Sequence, residues 1–421
     1  MKGKTSLSAD TVELLSEYHE GENPEGNAFR LDSYFRGNDG IVFSGESPTG
    51  ERSNMCSKIV SGASRLRSPR RSPVFLQYAI MMPFSCLHII NTMRIGVLCS
   101  GGDSPGMNPC LRSIIRTACI CDIEVYGFRR GYEGLLNEEF YPGENGTHVM
   151  GLRSVSGLSK IGGTILRSSR SQRFQEPAGL KHAVKVLKKY GFDALITIGG
   201  NGTLKGALDL CGVWDGQVIG VPGTIDNDLY GTDFTIGFAT AVDTAVEAVD
   251  KLRDTAGSHD LMFFVEVMGR HCGDIALSTA IASGAEIACI PEIEENPERI
   301  VKGLKKIKES GKSSVMAIVA EGDESGGAFA IQKLLAEAGN PFESRAVVLG
   351  HVLRGGSPVA TDRILASELG NFAVSAVIQG ESGKMVGKIK NELVLTPLAE
   401  CVSAHRKVDI EQLRLLQIVA S

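Results

Sequence analysis

From Met93 to the C-terminus, short β-branched or apolar runs alternate with longer amphipathic ones. That alternation leaves few architectures open, because it builds strand–helix–strand units and hence a mostly parallel sheet covered by helices. The expected strands are 94–99, 124–128, 194–198, 218–221, 262–267, 314–320 and 346–349, and helical patterns cover 180–190, 240–254, 297–309 and 328–338. No repeat of solenoid length is visible. With 421 residues, 43% of them hydrophobic, the chain can bury more core than one domain usually holds, so two globular domains are expected.

A formal net charge of -5 and a pI near 6.0 argue against a polyanion-binding surface, and no nucleic-acid partner is expected. The ten cysteines are scattered and form no CxxC pair, which fits reduced thiols in a cytoplasmic protein. Residues 1–92 differ from the rest. They mix Ser, Arg, Gly and Glu without sustained periodicity, include the basic run 65–71, and are expected to be largely disordered. The apolar segment 74–90 is broken by Gln77, Pro83, Ser85 and His88, and it is too short and interrupted to span a membrane. Met93 immediately precedes a well-formed strand and is the expected natural start, with 1–92 a disordered or non-native extension.

Parallel sheets of this kind place ligands at the carboxyl ends of their strands. The first such loop, Ser100-Gly101-Gly102-Asp103-Ser104-Pro105-Gly106-Met107-Asn108, leads from a strand into a helix, where glycines admit a phosphate to unpaired backbone N–H groups. Alone it is a common connector. A second copy, Gly199-Gly200-Asn201-Gly202-Thr203, also follows a strand, and two phosphate cradles on one sheet suggest a polyphosphate ligand. The third loop, Pro222-Gly223-Thr224-Ile225-Asp226-Asn227-Asp228, sets two carboxylates two residues apart: one can accept a proton from an attacking hydroxyl while the other orients it or a metal. Further on, Gly269-Arg270 and His351-Val352-Leu353-Arg354 put arginines beside glycines after apolar strands, and a guanidinium fork suits phosphate oxygens.

The strings SGGDSPGMN, GGTILRSSR, PGTIDNDLYGTD, FFVEVMGRHCG and VLGHVLRGGSP resemble ATP-dependent 6-phosphofructokinase of the bacterial type, and the resemblance covers the chain from Met93 onward. It implies an α/β fold of two Rossmann-like three-layer domains with mostly parallel sheets. The larger, ATP-binding domain would be 93–237 plus 350–400, and the smaller, sugar-phosphate-binding domain 238–349 plus 401–421. The implied glycolytic reaction moves the ATP γ-phosphoryl group to the 1-hydroxyl of fructose 6-phosphate with Mg²⁺, giving fructose 1,6-bisphosphate and ADP. The implied enzyme is a cytoplasmic homo-oligomer, a tetramer or dimer, with no membrane partner. Carried over by position, Asp226 is the proton acceptor, flanked by Thr224 and Asp228 at the substrate and metal. Gly102, Tyr132, Arg170, Ser171, Asn201, Gly202 and Thr203 fall at ATP positions, with Arg170 also stabilising the transferring phosphoryl group. Met268, Gly269, Arg270, Glu321, Arg345, His351 and Arg354 fall at sugar-phosphate positions, Arg345 in the neighbouring subunit's site.

Pyrophosphate-using relatives carry Asp and Lys where this chain has Gly202 and Gly223, so ATP is the expected donor, with room for a nucleotide as the reason. Two departures from the pattern stand out. Asn201 replaces an aspartate that helps hold Mg²⁺, and Leu261 replaces an arginine that reaches the sugar phosphate across a subunit interface. Arg112, Arg116, Arg253 and Glu286 match effector-site positions, but Leu152 and Ser310 stand where effector-sensitive relatives have Arg and Lys. A pyrophosphate-dependent enzyme and a catalytically weak regulatory homologue are the alternatives.

Overall fold

The structure, a computed structural model, describes residues 31–37, 40–45, 93–294, 296–322, 326–404, 406 and 408–419. Near the N-terminus, β1 (Leu31–Gly37) and β2 (Gly40–Gly45) pair antiparallel. The extension expected to be largely disordered therefore holds one strand pair. Tyr34, Phe35, Ile41, Val42 and Phe43 concentrate strand-forming side chains into two runs too short to register as a longer periodicity. The basic run 65–71 and the apolar segment 74–90 lie outside the described residues.

In the second, larger unit the strands in chain order are β3 (Arg94–Cys99), β4 (Glu124–Phe128), β5 (Ala194–Gly199), β6 (Gln217–Thr224), β7 (Ile236–Gly237), β8 (Leu261–Val267), β9 (Ile287–Cys289), β10 (Val315–Ala320), β11 (Glu343–Val348), β12 (Lys384–Ile389) and β13 (Glu392–Pro397). They form two sheets. One has seven strands in the order β13-β12-β6-β5-β3-β4, with β7 added on β6; every pairing is parallel except β12 with β13. The other has four parallel strands in the order β11-β8-β10-β9.

Alternation along each strand makes the layers. On β3, Ile95, Val97 and Cys99 face helices Met107–Ile120 and Ala360–Ile378, while Leu98 faces helices Pro177–Lys189 and Asn201–Cys211. In the small sheet, Phe263, Val265, Met316 and Ile318 pack with helices Phe238–His259 and Asp274–Ser283. Their neighbours Met262, Phe264, Val315 and Ala317 pack with helices Pro297–Glu309 and Gly327–Glu337. Each sheet is thus the middle of three layers. Near the C-terminus, Leu398 and Cys401 pack into the core of the large sheet, and Val408 and Leu416 into that of the small one. Among the described residues no helix is long and apolar enough to cross a membrane.

Candidate functional site

The carboxyl ends of β3, β5 and β6 lie side by side, and the loops leaving them wall a cleft of about 320 Å³. The first glycine loop is fixed by its neighbours. Ser100 N donates to Ile198 O (3.1 Å), Gly101 N to Ser169 O (3.2 Å) and Ser168 Oγ to Gly101 O (2.7 Å). Thr203, in the first turn of helix Asn201–Cys211, donates its hydroxyl to Ser100 O (2.8 Å) and so laces the second glycine loop to the first. Gly199 makes that approach possible, since a Cβ there would lie 2.3 Å from Thr203 Oγ1.

The two glycines invoked for nucleotide room differ. A Cβ at Gly202 meets nothing within 4 Å, whereas one at Gly223 would lie 2.9 Å from Ile198 and 3.2 Å from Met107. Steric room for a ligand therefore describes Gly202. Gly223 is small because the core beneath β6 is full. Gly102 has a third reason: a Cβ there would fall 1.8 Å from Nη1 of Arg354, so a residue without a side chain lets that guanidinium lie across the loop. Arg354 lines both the cleft and an adjoining recess of about 370 Å³ shared with Arg170, His351, Asp103 and Thr164.

Asp226 sits in the cleft wall, 5% exposed, with no hydrogen-bond partner on Oδ1. Its N–H donates to Thr224 Oγ1 (3.2 Å), which turns the chain sharply after β6. Burial is the largest influence on its carboxyl, followed by the negative charge of Asp228; Arg270, with Nε 3.9 Å from Oδ2, and Arg354 oppose them. The balance pushes the group up to about 6. Asn201 Nδ2 donates to Asp228 Oδ2 at 2.5 Å. Among the described residues no cluster of three or more His, Cys, Asp or Glu converges. Two carboxylates and an amide nevertheless suit a cation that keeps waters and phosphate oxygens as its other ligands, and the unpartnered Oδ1 of Asp226 is an acceptor left for it or for a substrate hydroxyl.

The cleft brings together Gly102, Tyr132, Arg170, Ser171, Asn201, Gly202, Thr203, Thr224, Asp226, Asp228, Arg270 and Arg354, and His351 stands in the recess beside them. Tyr132 is a buried wall: its ring stacks on Phe174 with centroids 3.9 Å apart, its hydroxyl donates to Thr203 O (2.7 Å), and burial pushes that hydroxyl well up. Ser171 caps the short helix Gln172–Gln175 and donates to Glu133 Oε2 (2.6 Å), a bond that, with Arg173, holds the Glu133 carboxyl below its usual value. Four sugar-phosphate positions lie outside this lining. Met268 is buried in the small-sheet core, and Gly269 turns the chain at φ +144°. Glu321 Oε1 accepts from Arg270 N (3.0 Å), and Arg345 is exposed on the edge strand β11, paired with Glu343 (2.6 Å).

At the effector positions, the Glu286 side chain is buried with Lys312 Nζ at 2.8 Å and Arg253 Nη1 at 3.5 Å, and it accepts from Met316 N (2.6 Å). Arg253 also donates to Ser283 O and Gly284 O, both 2.9 Å, and so caps the end of helix Asp274–Ser283. Arg112 and Arg116 stand one turn apart on helix Met107–Ile120, outside the cleft lining. Sequence reasoning passed over Phe174, Asp103 and Gln172, which also line the cleft. The signal was present in the GGTILRSSR run, which leads directly to Gln172 and Phe174.

The Phosphofructokinase family model matches residues 94–377. A protein of Thermus thermophilus named ATP-dependent 6-phosphofructokinase 1 is 48% identical over 327 residues, 78% of this chain and 99% of that one. The ATP-dependent 6-phosphofructokinase of Shouchella clausii is 46% identical over 324 residues, 77% and 98% of the two chains. Among solved structures, phosphofructokinase from Saccharomyces cerevisiae superposes with a TM-score of 0.67 at 33% identity over 78% of this chain; the match spans 48% of the yeast chain. The pyrophosphate-dependent phosphofructokinase of Marinobacter aquaeolei shares the fold at TM-score 0.68, covering 77% and 91% of the two chains at 21% identity. With a matching family model over most of its length, and relatives nearly half identical and covered end to end, this chain belongs to the phosphofructokinase family.

Proposed function

We propose that this chain transfers the γ-phosphoryl group of ATP to the 1-hydroxyl of fructose 6-phosphate, producing fructose 1,6-bisphosphate and ADP. The observation that carries the reading is Asp226, a buried carboxylate with a free oxygen, poised near 6 between the glycine loops and two arginines. Such a group takes the proton of the attacking hydroxyl as its oxygen bonds to the γ-phosphorus and the bond from that phosphorus to the β–γ bridging oxygen breaks. Arg170 and Arg354 line the same recess and stabilise charge on the group in transit, while Thr224 and Arg270 orient the sugar. Membership in the family implies a divalent cation, and Mg²⁺ would be held by Asp228 and the Asn201 oxygen, directly or through water, neutralising phosphate charge.

Relatives named ATP-dependent, at 48% and 46% identity, support ATP over pyrophosphate as donor, as does the open space beside Gly202. The large sheet, with 93–237 and 350–400, would carry the nucleotide, and 238–349 with 401–421 the sugar phosphate. Arg345, exposed on an edge strand, would complete a neighbouring subunit's pocket in a homo-oligomer of cytoplasmic location. Arg112, Arg116, Arg253 and Glu286 are proposed as an effector site only in so far as a ligand can displace the Arg253–Glu286 pair. Asp226→Asn tests the reading: ATP binding should persist while turnover falls roughly 10²–10⁴-fold. Turnover equal to that of the unaltered protein would remove Asp226 from its role.

A further inference from the structure

We propose that Arg406, between helices Leu398–Ser403 and Ile410–Val419, is a positioning residue that clamps the 224–228 loop from outside the cleft. Asn227, between the two loop aspartates, is 1% exposed and left-handed at φ +55°. A non-glycine residue keeps such a conformation only where its surroundings over-determine it. Here they do so from three sides. Asn227 Oδ1 accepts from Thr235 N (2.9 Å), Asn227 Nδ2 donates to Asp274 Oδ2 (2.8 Å), and Thr235 Oγ1 donates to Thr224 O (2.7 Å).

Arg406 closes the remaining side. Its Nη1 donates to Asn227 O (3.3 Å) and pairs with Asp274 Oδ2, and its backbone N donates to Asp228 O (3.3 Å). The two carbonyls that follow Asp226 are therefore both held by one residue from the far end of the chain. Asp274 is buried at the start of helix Asp274–Ser283, so losing Arg406 leaves a buried carboxylate with one neutral donor. Leu416, in the helix after Arg406, sits in the small-sheet core and fixes where the arginine stands. Placement errors of about an ångström at a reacting group suffice to slow catalysis about a hundredfold.

The inference rests on the proposed function only for its kinetic consequence, and the test separates the two. Amide hydrogen exchange over 224–230 and steady-state kinetics with ATP and fructose 6-phosphate are measured on the full chain, Arg406→Ala and Arg406→Lys. In Arg406→Ala, exchange at 224–230 should rise about tenfold while β5, β8 and β10 stay protected. kcat should fall about tenfold with both KM values within twofold. Arg406→Lys keeps the pairing with Asp274 but not the fork, and should recover part of both; it also keeps the test decisive if the alanine variant folds poorly. Unchanged exchange at 224–230, or a rise spread evenly over both sheets, would overturn the clamp. A chain with no turnover at all would sink the proposed function, while the exchange comparison would still decide the role of Arg406.

Discussion

Burial and Asp228 push the Asp226 carboxyl up to about 6, from an ordinary value of 3.8 in the unfolded chain. Between those values the folded state binds more protons than the unfolded one, so this group's contribution to stability falls as pH rises from about 4 to about 6. Above that window the ionised carboxylate costs about 3 kcal/mol. Asp226→Asn removes the cost, and thermal unfolding should show it melting a few degrees above the unaltered protein at pH 8, with the gap closing by pH 4. In its proposed role as proton acceptor Asp226 must be ionised, so kcat/KM should fall as pH drops through about 6, and a pH–rate profile measures that limb. Asn201 makes a second residue-scale case, because aspartate there would set a carboxylate where an amide now donates to Asp228 at 2.5 Å. Asn201→Asp should lower the melting temperature in chelator and regain it with Mg²⁺, and should raise kcat more than it changes ATP affinity; the same melting curve with and without metal would count against a cation at this pair. The loop aspartates were legible because a run such as TIDND after an apolar strand is rare chemistry. Arg406 was not legible, since its meaning depends on a partner 179 positions away in the chain.

Strands buried on both faces were the easiest elements to read, because β3, β5, β8 and β10 are apolar but for Arg94, Thr197 and Glu266 and lie between turn signals. Edge strands were harder. β11 begins at Glu343, yet its half-exposed polar start hid everything before Ala346, and the β12–β13 hairpin, with Lys384, Lys388 and Glu392, offers only the short run Leu393-Val394-Leu395. β6 runs on to Thr224 rather than ending at Val221, which carries the strand to the start of the 224–228 loop. Leu261 belongs to this scale because it opens β8, pairs in register with Glu343 of β11, and is partly buried against the small-sheet core. Leu261→Arg should lower KM for fructose 6-phosphate by roughly tenfold or more, the worth of one charge-assisted phosphate contact, at a stability loss of about 1 kcal/mol. Initial-rate titration of the sugar reads it directly, and an unchanged KM would mean that the matched position does not reach the phosphate here.

Two three-layer sheets, joined so that a cleft opens at the carboxyl ends of the larger one, bring residues as distant as Gly102, Asp226 and Arg354 to the lining of one cleft. The family match begins at residue 94, and relatives are covered almost end to end by the region that follows. A chain starting at Met93 is therefore expected to fold and to melt at the same temperature as the full chain, as calorimetry of the two would show. Mostly parallel strands were evident from periodicity, whereas the expectation of two domains came from length and composition. The crossing between the two cores near the C-terminus was expected only from the resemblance, because short apolar patches such as Leu398 and Cys401 do not announce which sheet they will cover. Transfer of a phosphoryl group from ATP to a sugar phosphate is the activity proposed for this cleft. Its most direct test is the initial rate with fructose 6-phosphate and Mg²⁺ when ATP or pyrophosphate is the donor. Fructose 1,6-bisphosphate should form with ATP, and kcat/KM for pyrophosphate should be lower by roughly a thousandfold, or about 4 kcal/mol of transition-state discrimination. Equal rates with the two donors, or ATP binding without any turnover, would contradict it.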